Sequence, residues 1–161
     1  MIPAAFAYKR ASSVDEASQL LTQNGEAKLL AGGHSLIPLM RLRLAEPSML
    51  VDINGLQGEL GYIRRDNGNL RIGALTRHYQ LQQSEEVNRS LPLLGAIANE
   101  VGDEQVRTMG TIGGVLAHGD PAGDYGTLAL MLDATITTNR RSIAARDFFK
   151  GVFTTALAPD E

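Results

Sequence analysis

The segment Thr108-Met109-Gly110-Thr111-Ile112-Gly113-Gly114 is the most informative part of the sequence for the fold, because it repeats the chemistry of the earlier segment Ala31-Gly32-Gly33-His34-Ser35. Each segment has two adjacent glycines with a small hydroxyl residue close by. Glycines let backbone N–H groups approach an anion without a Cβ in the way. Two such loops in one short chain predict one ligand with a pyrophosphate in its middle.

Length and composition indicate a globular chain. The 161 residues include 43% hydrophobic and 20% charged residues, with a net charge of −3. This is enough for one domain with a core, or for two small lobes that share a cleft, but not for a second large domain.

Several classes of site and partner are excluded by composition. The chain has no cysteine, so it has no disulfide, no thiolate nucleophile and no cysteine-bound metal, and any iron–sulfur centre must come from a partner. Its basic residues are scattered, which argues against nucleic acid. Asp133 stops the longest apolar run, Leu128 to Leu132, and residues 1–6 lack a positive region, so we expect no membrane span and a cytoplasmic location.

The first part of the chain predicts a small lobe, residues 1–53. Ser13 and Glu16 have capping-box spacing, which opens a helix between two predicted strands at 6–10 and 28–31. The second of these strands runs directly into the first glycine loop. A short helix that Pro47 ends and a buried strand at 49–53 complete the lobe.

The rest of the chain predicts a second lobe, residues 54–161. Asp66-Asn67-Gly68-Asn69 is typical of a hairpin turn between strands. We expect Thr76 to cap a helix and residues 91–101 to form another. The stretch between Gly102 and Gly126 lacks helical periodicity, so it is predicted to be a long, irregular, functional loop. A helix near 128–132 and a strand at 135–138 follow.

The glycine pairs alone leave two interpretations open, a diphosphate site or two tight turns. No lysine follows the glycines as in a nucleotide-hydrolysing P-loop, and neither segment has the Gly-x-Gly-x-x-Gly pattern of dinucleotide-binding folds. Ser35 and Thr111 offer additional hydroxyl donors. His118 and Asp120 resemble an acid–base or metal pair, and His78 is expected on a helix surface.

Longer segments resemble one family closely. Ala31 to Met40, Leu50 to Ile53 and, above all, Val106 to Gly114 are similar to the FAD-binding subunit of molybdenum hydroxylases, the medium subunit of the carbon monoxide dehydrogenase type. The resemblance extends to Ala145–Phe149 and Phe153–Leu157, and so covers essentially the whole chain.

The resemblance implies an α+β fold of the vanillyl-alcohol oxidase or PCMH type. FAD would lie extended between a small α/β lobe and a larger α+β lobe, and relatives continue into a C-terminal domain that this sequence lacks. We therefore expect a fragment or a split subunit. Val115 is a second departure, because relatives usually have Asn there and valine cannot donate a hydrogen bond.

The resemblance also implies which residues bind the cofactor. In the family the first loop wraps the pyrophosphate, and the second approaches it from the other lobe. An acidic residue after the second loop contacts the ribose or adenine, and it aligns with Asp124 in this chain. The alternative for Asp124 is ordinary solvation or a helix N-cap before Leu128. No catalytic residue and no metal ligand is expected in this chain. The candidate cofactor-binding residues are Leu30, Ala31, Gly32, Gly33, His34, Ser35, Leu36, Val101, Gly102, Thr111, Gly113, Gly114, His118 and Asp124.

The function implied is electron transfer. A molybdopterin large subunit would hydroxylate the substrate, and two [2Fe–2S] clusters of a small subunit would pass electrons to this FAD and on to an external acceptor, in a dimer of heterotrimers. Two alternatives stay open. One is a free-standing flavin oxidase with FAD bound covalently to His34, and the other is a truncated, non-enzymatic module that only binds partners.

Overall fold

The first part of the chain forms a parallel sheet with two helices. In the computed structural model, which describes residues 2–161, the strands lie in the order β1-β3-β2, so both flanking strands pair with β3. Helix α1 connects β1 to β2, and α2 connects β2 to β3. The elements are β1 (Ala7–Arg10), α1 (Val14–Gln23), β2 (Ala27–Leu30), α2 (Leu36–Arg41) and β3 (Met49–Asp52).

Helix α1 begins where the capping pattern predicts. The Ser13 side chain accepts a hydrogen bond from the amide of Glu16 at 3.1 Å, while the Glu16 carboxylate accepts from the amide of Ser12 rather than of Ser13. The helix buries Ala17, Leu20 and Leu21. These side chains pack with Ala11, Ala27 and Val51 into a first core cluster.

The rest of the chain is mostly helical, with three two-stranded sheets. The hairpin β4–β5 turns at Asn67-Gly68, as predicted. A 3-10 turn at Asn54–Leu56 comes first. The elements that follow are α3 (Gln57–Leu60), β4 (Ile63–Asp66), β5 (Asn69–Ile72), α4 (His78–Gln83), α5 (Glu85–Ser90), α6 (Pro92–Glu100), α7 (Glu104–Met109), α8 (Ile112–His118), α9 (Asp124–Met131), β6 (Thr135–Thr137), β7 (Ser142–Ala144), α10 (Ala145–Phe148), β8 (Phe149–Gly151) and β9 (Thr154–Thr155).

A second core cluster lies entirely within this part. Its buried members come from α4, α5, α6 and α9, and the β4–β5 hairpin packs against them. The two clusters share no residue. The buried residues of the second cluster are Leu81, Val87, Leu94, Ala98, Tyr125 and Leu128.

Two predictions about this part are wrong. The stretch between Gly102 and Gly126 is not an irregular loop, because α7 and α8 occupy most of it. The N-cap residues Asp103 and Thr111 mark where these two helices begin. Thr76 does not cap α4. Its hydroxyl donates to the carbonyl of Tyr62, and the helix begins after Arg77 instead.

None of the helices in the described chain has both the length and the apolar character needed to cross a membrane.

Candidate functional site

The first glycine loop lies at the carboxyl end of β2, beside the carboxyl end of β3. This edge is where open parallel sheets usually bind ligands. Gly33 has a φ of +74°, in the left-handed region that glycine adopts most easily. Within the described chain, the five consecutive backbone amides of residues 32–36 donate to no protein acceptor. The loop therefore offers a run of free N–H donors, the feature that a diphosphate requires.

The two glycine segments touch one another. A Cβ on Gly32 would lie 2.4 Å from the carbonyl oxygen of Met109 and 2.8 Å from the Cα of Gly110. Only glycine allows this approach at position 32. The structure thus brings together the two segments that the sequence paired by their chemistry.

At the end of the second segment, the four consecutive amides of residues 112–115 donate to protein acceptors. The amide of Ile112 donates to Thr76, that of Gly113 to Ala74, and those of Gly114 and Val115 to the side chain and carbonyl of Thr111. Thr111 is buried, and its oxygen is the N-cap of α8. Donation from these four amides to a phosphate would therefore need a local rearrangement.

Close packing explains the glycines of the second segment. A Cβ on Gly113 would lie 2.6 Å from the carbonyl oxygen of Ala74, and one on Gly110 would lie 2.6 Å from Nε2 of His78. Both glycines let the segment pack closely, Gly113 against Ala74 and Gly110 against His78 at the start of α4. The expected contacts of Thr111, Gly113 and Gly114 with a cofactor stay predictions.

His78 is buried behind the second segment, so the expectation of a surface residue is wrong. Its ring is 1% exposed and stacks on Tyr125, whose hydroxyl lies 3.1 Å from Nδ1. Desolvation, with smaller contributions from the charges of Arg77 and His34, lowers the pKa of His78 to about 4. Burial raises the pKa of Tyr125. The imidazole is therefore neutral at physiological pH.

Two residues that the sequence did not single out connect the segments. The Asn54 side-chain amide donates to the carbonyl of Ala31 at 2.8 Å, and its Oδ1 accepts from Arg77 at 2.5 Å. Arg77 also donates to the carbonyl of Met109. No motif marks either residue, because they lie far apart in sequence and meet only in the folded chain.

An open cleft of about 450 Å³ adjoins the first loop. The rings of His118 and Phe153, which both line it, pack against each other at a tilt of 45°, with centroids 5.0 Å apart. Of the predicted site residues, His34, Ser35 and His118 lie here together. The full lining consists of His34, Ser35, Pro38, Leu39, Leu42, His118, Asp120 and Phe153.

The other candidates lie outside this cleft. Asp124 is exposed in the first turn of α9, and Val101 and Gly102 follow the end of α6. Val115, at the position where Asn was expected, packs against the second core cluster. Their predicted contacts with a cofactor remain predictions.

The residues present fit a diphosphate-bearing cofactor such as FAD. Five amides without protein acceptors supply donors for the phosphates, and the mostly apolar cleft beside them suits an aromatic ring system. Within residues 2–161, no group of three or more metal-ligating side chains is brought together.

The chain is similar along its whole length to medium chains of known dehydrogenases. The chain is 45% identical over its whole length to the carbon monoxide dehydrogenase medium chain of Hydrogenophaga pseudoflava, and 43% identical over 96% of its length to the glyceraldehyde dehydrogenase medium chain of Sulfolobus acidocaldarius. It spans little more than half of these relatives, 58% and 56% of their lengths.

Solved structures show the same fold. A carbon monoxide dehydrogenase from Hydrogenophaga pseudoflava superposes with a TM-score of 0.94 over 99% of this chain and 57% of its own. The quinoline 2-oxidoreductase of Pseudomonas putida 86 gives 0.94 at 35% identity, over 99% of this chain and 57% of its own. The family model described as the FAD binding domain in molybdopterin dehydrogenase matches residues 4–161. This chain therefore belongs to the family of FAD-binding domains of molybdopterin dehydrogenases.

Proposed function

We propose that this chain binds the FAD through which a molybdenum hydroxylase complex passes electrons from [2Fe–2S] clusters of a small subunit to an external acceptor. The observation that carries the proposal is the run of free amides at residues 32–36, next to the cleft. A flavin suits this position because it can accept electrons singly and release them singly or in pairs.

The chain's own residues bind and position the cofactor. The first loop holds the diphosphate through backbone amides, without adding formal charge to the site. The second segment packs against the first loop, where Gly32 and Met109 meet. All fourteen candidate residues keep their predicted binding roles, with Asp124 at the ribose or adenine and Val101 and Gly102 lining the cofactor cleft.

We further propose two lobes, residues 1–53 and 54–161, with FAD between them. The two separate core clusters support this division, since one lies entirely before Asn54 and the other entirely after it. The glycine segments then belong to different lobes and meet at the boundary.

The partners follow from the family. We propose an iron–sulfur small subunit and a molybdopterin large subunit, assembled as a dimer of heterotrimers in the cytoplasm. The names of the relatives support a multi-subunit dehydrogenase, because two of them are called medium chains. Substrate hydroxylation would take place on the large subunit, and this chain alone would not carry it out.

A binding experiment tests the cofactor assignment. The purified chain, titrated with FAD and then acid-precipitated, should release flavin into the supernatant. Flavin that stays with the pellet would instead support the oxidase with FAD on His34. In this structure, Nδ1 of His34 lies 2.8 Å from the carbonyl oxygen of Gly32, so it carries the proton and a bond at that nitrogen would break the contact. No uptake at all would support the non-enzymatic module.

A pair of glycine variants tests the first loop. Gly33→Ala should weaken FAD binding at least tenfold, because alanine is strained at a φ of +74° and its Cβ would lie 3.1 Å from Cγ1 of Ile37. Gly68→Ala is the matched control, since Gly68 has a φ of +84° in a distant hairpin turn with nothing within 4 Å. It should lose similar stability and keep FAD. Equal FAD affinity in both variants would contradict the site.

Electron transfer itself is tested on the whole complex. A complex isolated through a tag on this chain and stripped of FAD should still reduce its iron–sulfur clusters with substrate. It should no longer reduce the external acceptor, and added FAD should restore that step. If the acceptor were reduced equally well without FAD, the proposed role would be wrong.

A further inference from the structure

Arg77 links the two glycine segments. Its guanidinium donates through Nη2 to Oδ1 of Asn54 and through Nη1 to the carbonyl of Met109. Asn54 in turn donates to the carbonyl of Ala31 at 2.8 Å and to that of Leu30 at 3.4 Å. We call Arg77 and Asn54 the clamp. It reaches both segments without using any of the free amides of the first loop.

The clamp is itself held from the sheet. One carboxylate oxygen of Asp52 accepts from both the backbone and the side-chain amide of Asn54 at 2.7 Å, and the other accepts from the Tyr8 hydroxyl at 2.5 Å. These bonds fix the orientation of the Asn54 amide, so that its oxygen faces Arg77. The network therefore runs from β1 and β3 to the second segment in one connected series.

The clamp acts on the contact that joins the two segments. The carbonyl oxygen of Met109 accepts from Arg77 and is also the atom that a Cβ on Gly32 would meet at 2.4 Å. Arg77 therefore fixes the position of the wall against which the first loop rests. Loosening it would let the free amides shift relative to the cleft.

The charge of Arg77 is also incompletely balanced. Within the described chain, no carboxylate lies at ion-pair distance from its guanidinium, since Asn54 stands between it and Asp52. Partial burial lowers the pKa of Arg77, which shows that the surroundings disfavour its cation. An anion bound nearby would relieve this cost.

We propose that Arg77 is a positioning residue of the cofactor site: it locks the two glycine segments together through Asn54 and Met109, and its positive charge favours a diphosphate at the free amides of residues 32–36. This inference rests on the proposed function, because it takes FAD as the ligand. It adds a residue and a charge that neither glycine motif contains.

The test compares three ligands across two variants. FAD and ADP carry a diphosphate, whereas riboflavin carries only the ring system. Arg77→Met should raise the dissociation constants of FAD and ADP by about tenfold or more, the usual effect of losing charge-assisted contacts, and leave that of riboflavin within about twofold. Arg77→Lys keeps the charge and should recover part of the ADP affinity. A purely structural role would weaken all three ligands alike in both variants and would overturn the proposal.

Controls separate this proposal from folding and from the proposed function. Arg71→Met removes an arginine that pairs with Asp66 in the β4–β5 hairpin, and it should leave all three dissociation constants unchanged. If Arg77→Met does not fold, Asn54→Ala tests the clamp instead, because it removes the hydrogen bond to Ala31. An FAD affinity equal to that of the wild-type chain would then refute the clamp. Failure of the wild-type chain to bind any of the three ligands would instead refute FAD binding itself.

Discussion

At the scale of single residues, glycines in the two paired segments serve different ends. Gly33 provides a left-handed backbone conformation in a loop with free amides, whereas Gly113 provides room for the backbone of Ala74. The sequence pattern predicts that both positions need glycine, because a side chain would be unfavourable in either case. It does not distinguish the two needs, since Ala74, against which Gly113 packs, lies far earlier in the sequence.

The buried imidazole of His78 predicts a specific pH dependence of stability. Its pKa is about 4 in the folded chain and near 6.5 when unfolded, so the unfolded state binds the proton first as pH falls. Its contribution is fully present above pH 6.5 and is lost as pH falls toward 4. The loss is on the order of 3 kcal/mol in the free energy of unfolding. Urea unfolding at a series of pH values measures it.

A double variant isolates this titration. His78→Phe combined with Tyr125→Phe keeps two stacked rings and leaves no buried hydroxyl without a partner, so its stability should change much less between pH 6.5 and 4.5. His34→Gln removes an exposed imidazole whose charge makes only a small contribution to the lowered pKa of His78, so it should keep most of the wild-type decline. An equally steep decline in the double variant would show that His78 is not responsible.

At the scale of elements, the periodicity of apolar residues predicts the long helix α1 but misses the short helices α7 and α8. Helix α1 has ten residues and a clear apolar face, and its start was predicted from Ser13. Helices α7 and α8 have six and seven residues and bury no side chain completely. Their signals are the caps Asp103 and Thr111, which accept from the amides of Val106 and Gly114. Capping residues, not periodicity, mark these elements.

The cap of α8 gives a prediction at this scale. Thr111→Val keeps the shape of the side chain but removes the oxygen that accepts from Gly114, so a partly buried amide loses its partner. The free energy of unfolding should fall by about 1 to 2 kcal/mol, measured by urea denaturation. Thr111→Ser retains the oxygen and is the control for the cap. If Thr111→Val were as stable as the wild-type chain, the hydrogen bond to Gly114 would contribute nothing and the cap prediction would be wrong.

At the scale of the whole molecule, local sequence patterns predict the strands and the glycine segments better than the long-range contacts between them. The parallel strands, the hairpin and the two glycine segments follow from local patterns. The clamp does not, because Asn54 follows β3, Arg77 precedes α4, and only the packing of one part of the chain on the other brings them together. A long-range pair of this kind carries no signal in a single sequence.

The contrast between the two segments leads to a prediction for the complete fold, measured by amide hydrogen exchange. In the free protein the amides of residues 32–36 should exchange rapidly, since they lack protein acceptors, whereas those of residues 112–115 should already be protected. Saturation with FAD should slow the first group strongly and the second only slightly.

The slowest amides of both cores, such as those of Val51 and Leu94, report on the whole molecule in the same experiment. If one ligand joins both parts, FAD at about 100 times its dissociation constant should stabilise both by the same amount, about 2.7 kcal/mol. A gain confined to one core would mean that FAD contacts one part only, and the two-lobed site would then be wrong. FAD could stabilise both cores equally in the wild-type chain but unequally in Arg77→Met. The clamp would then be what couples the two parts, because FAD would still bind the first loop while losing its contact with the second segment.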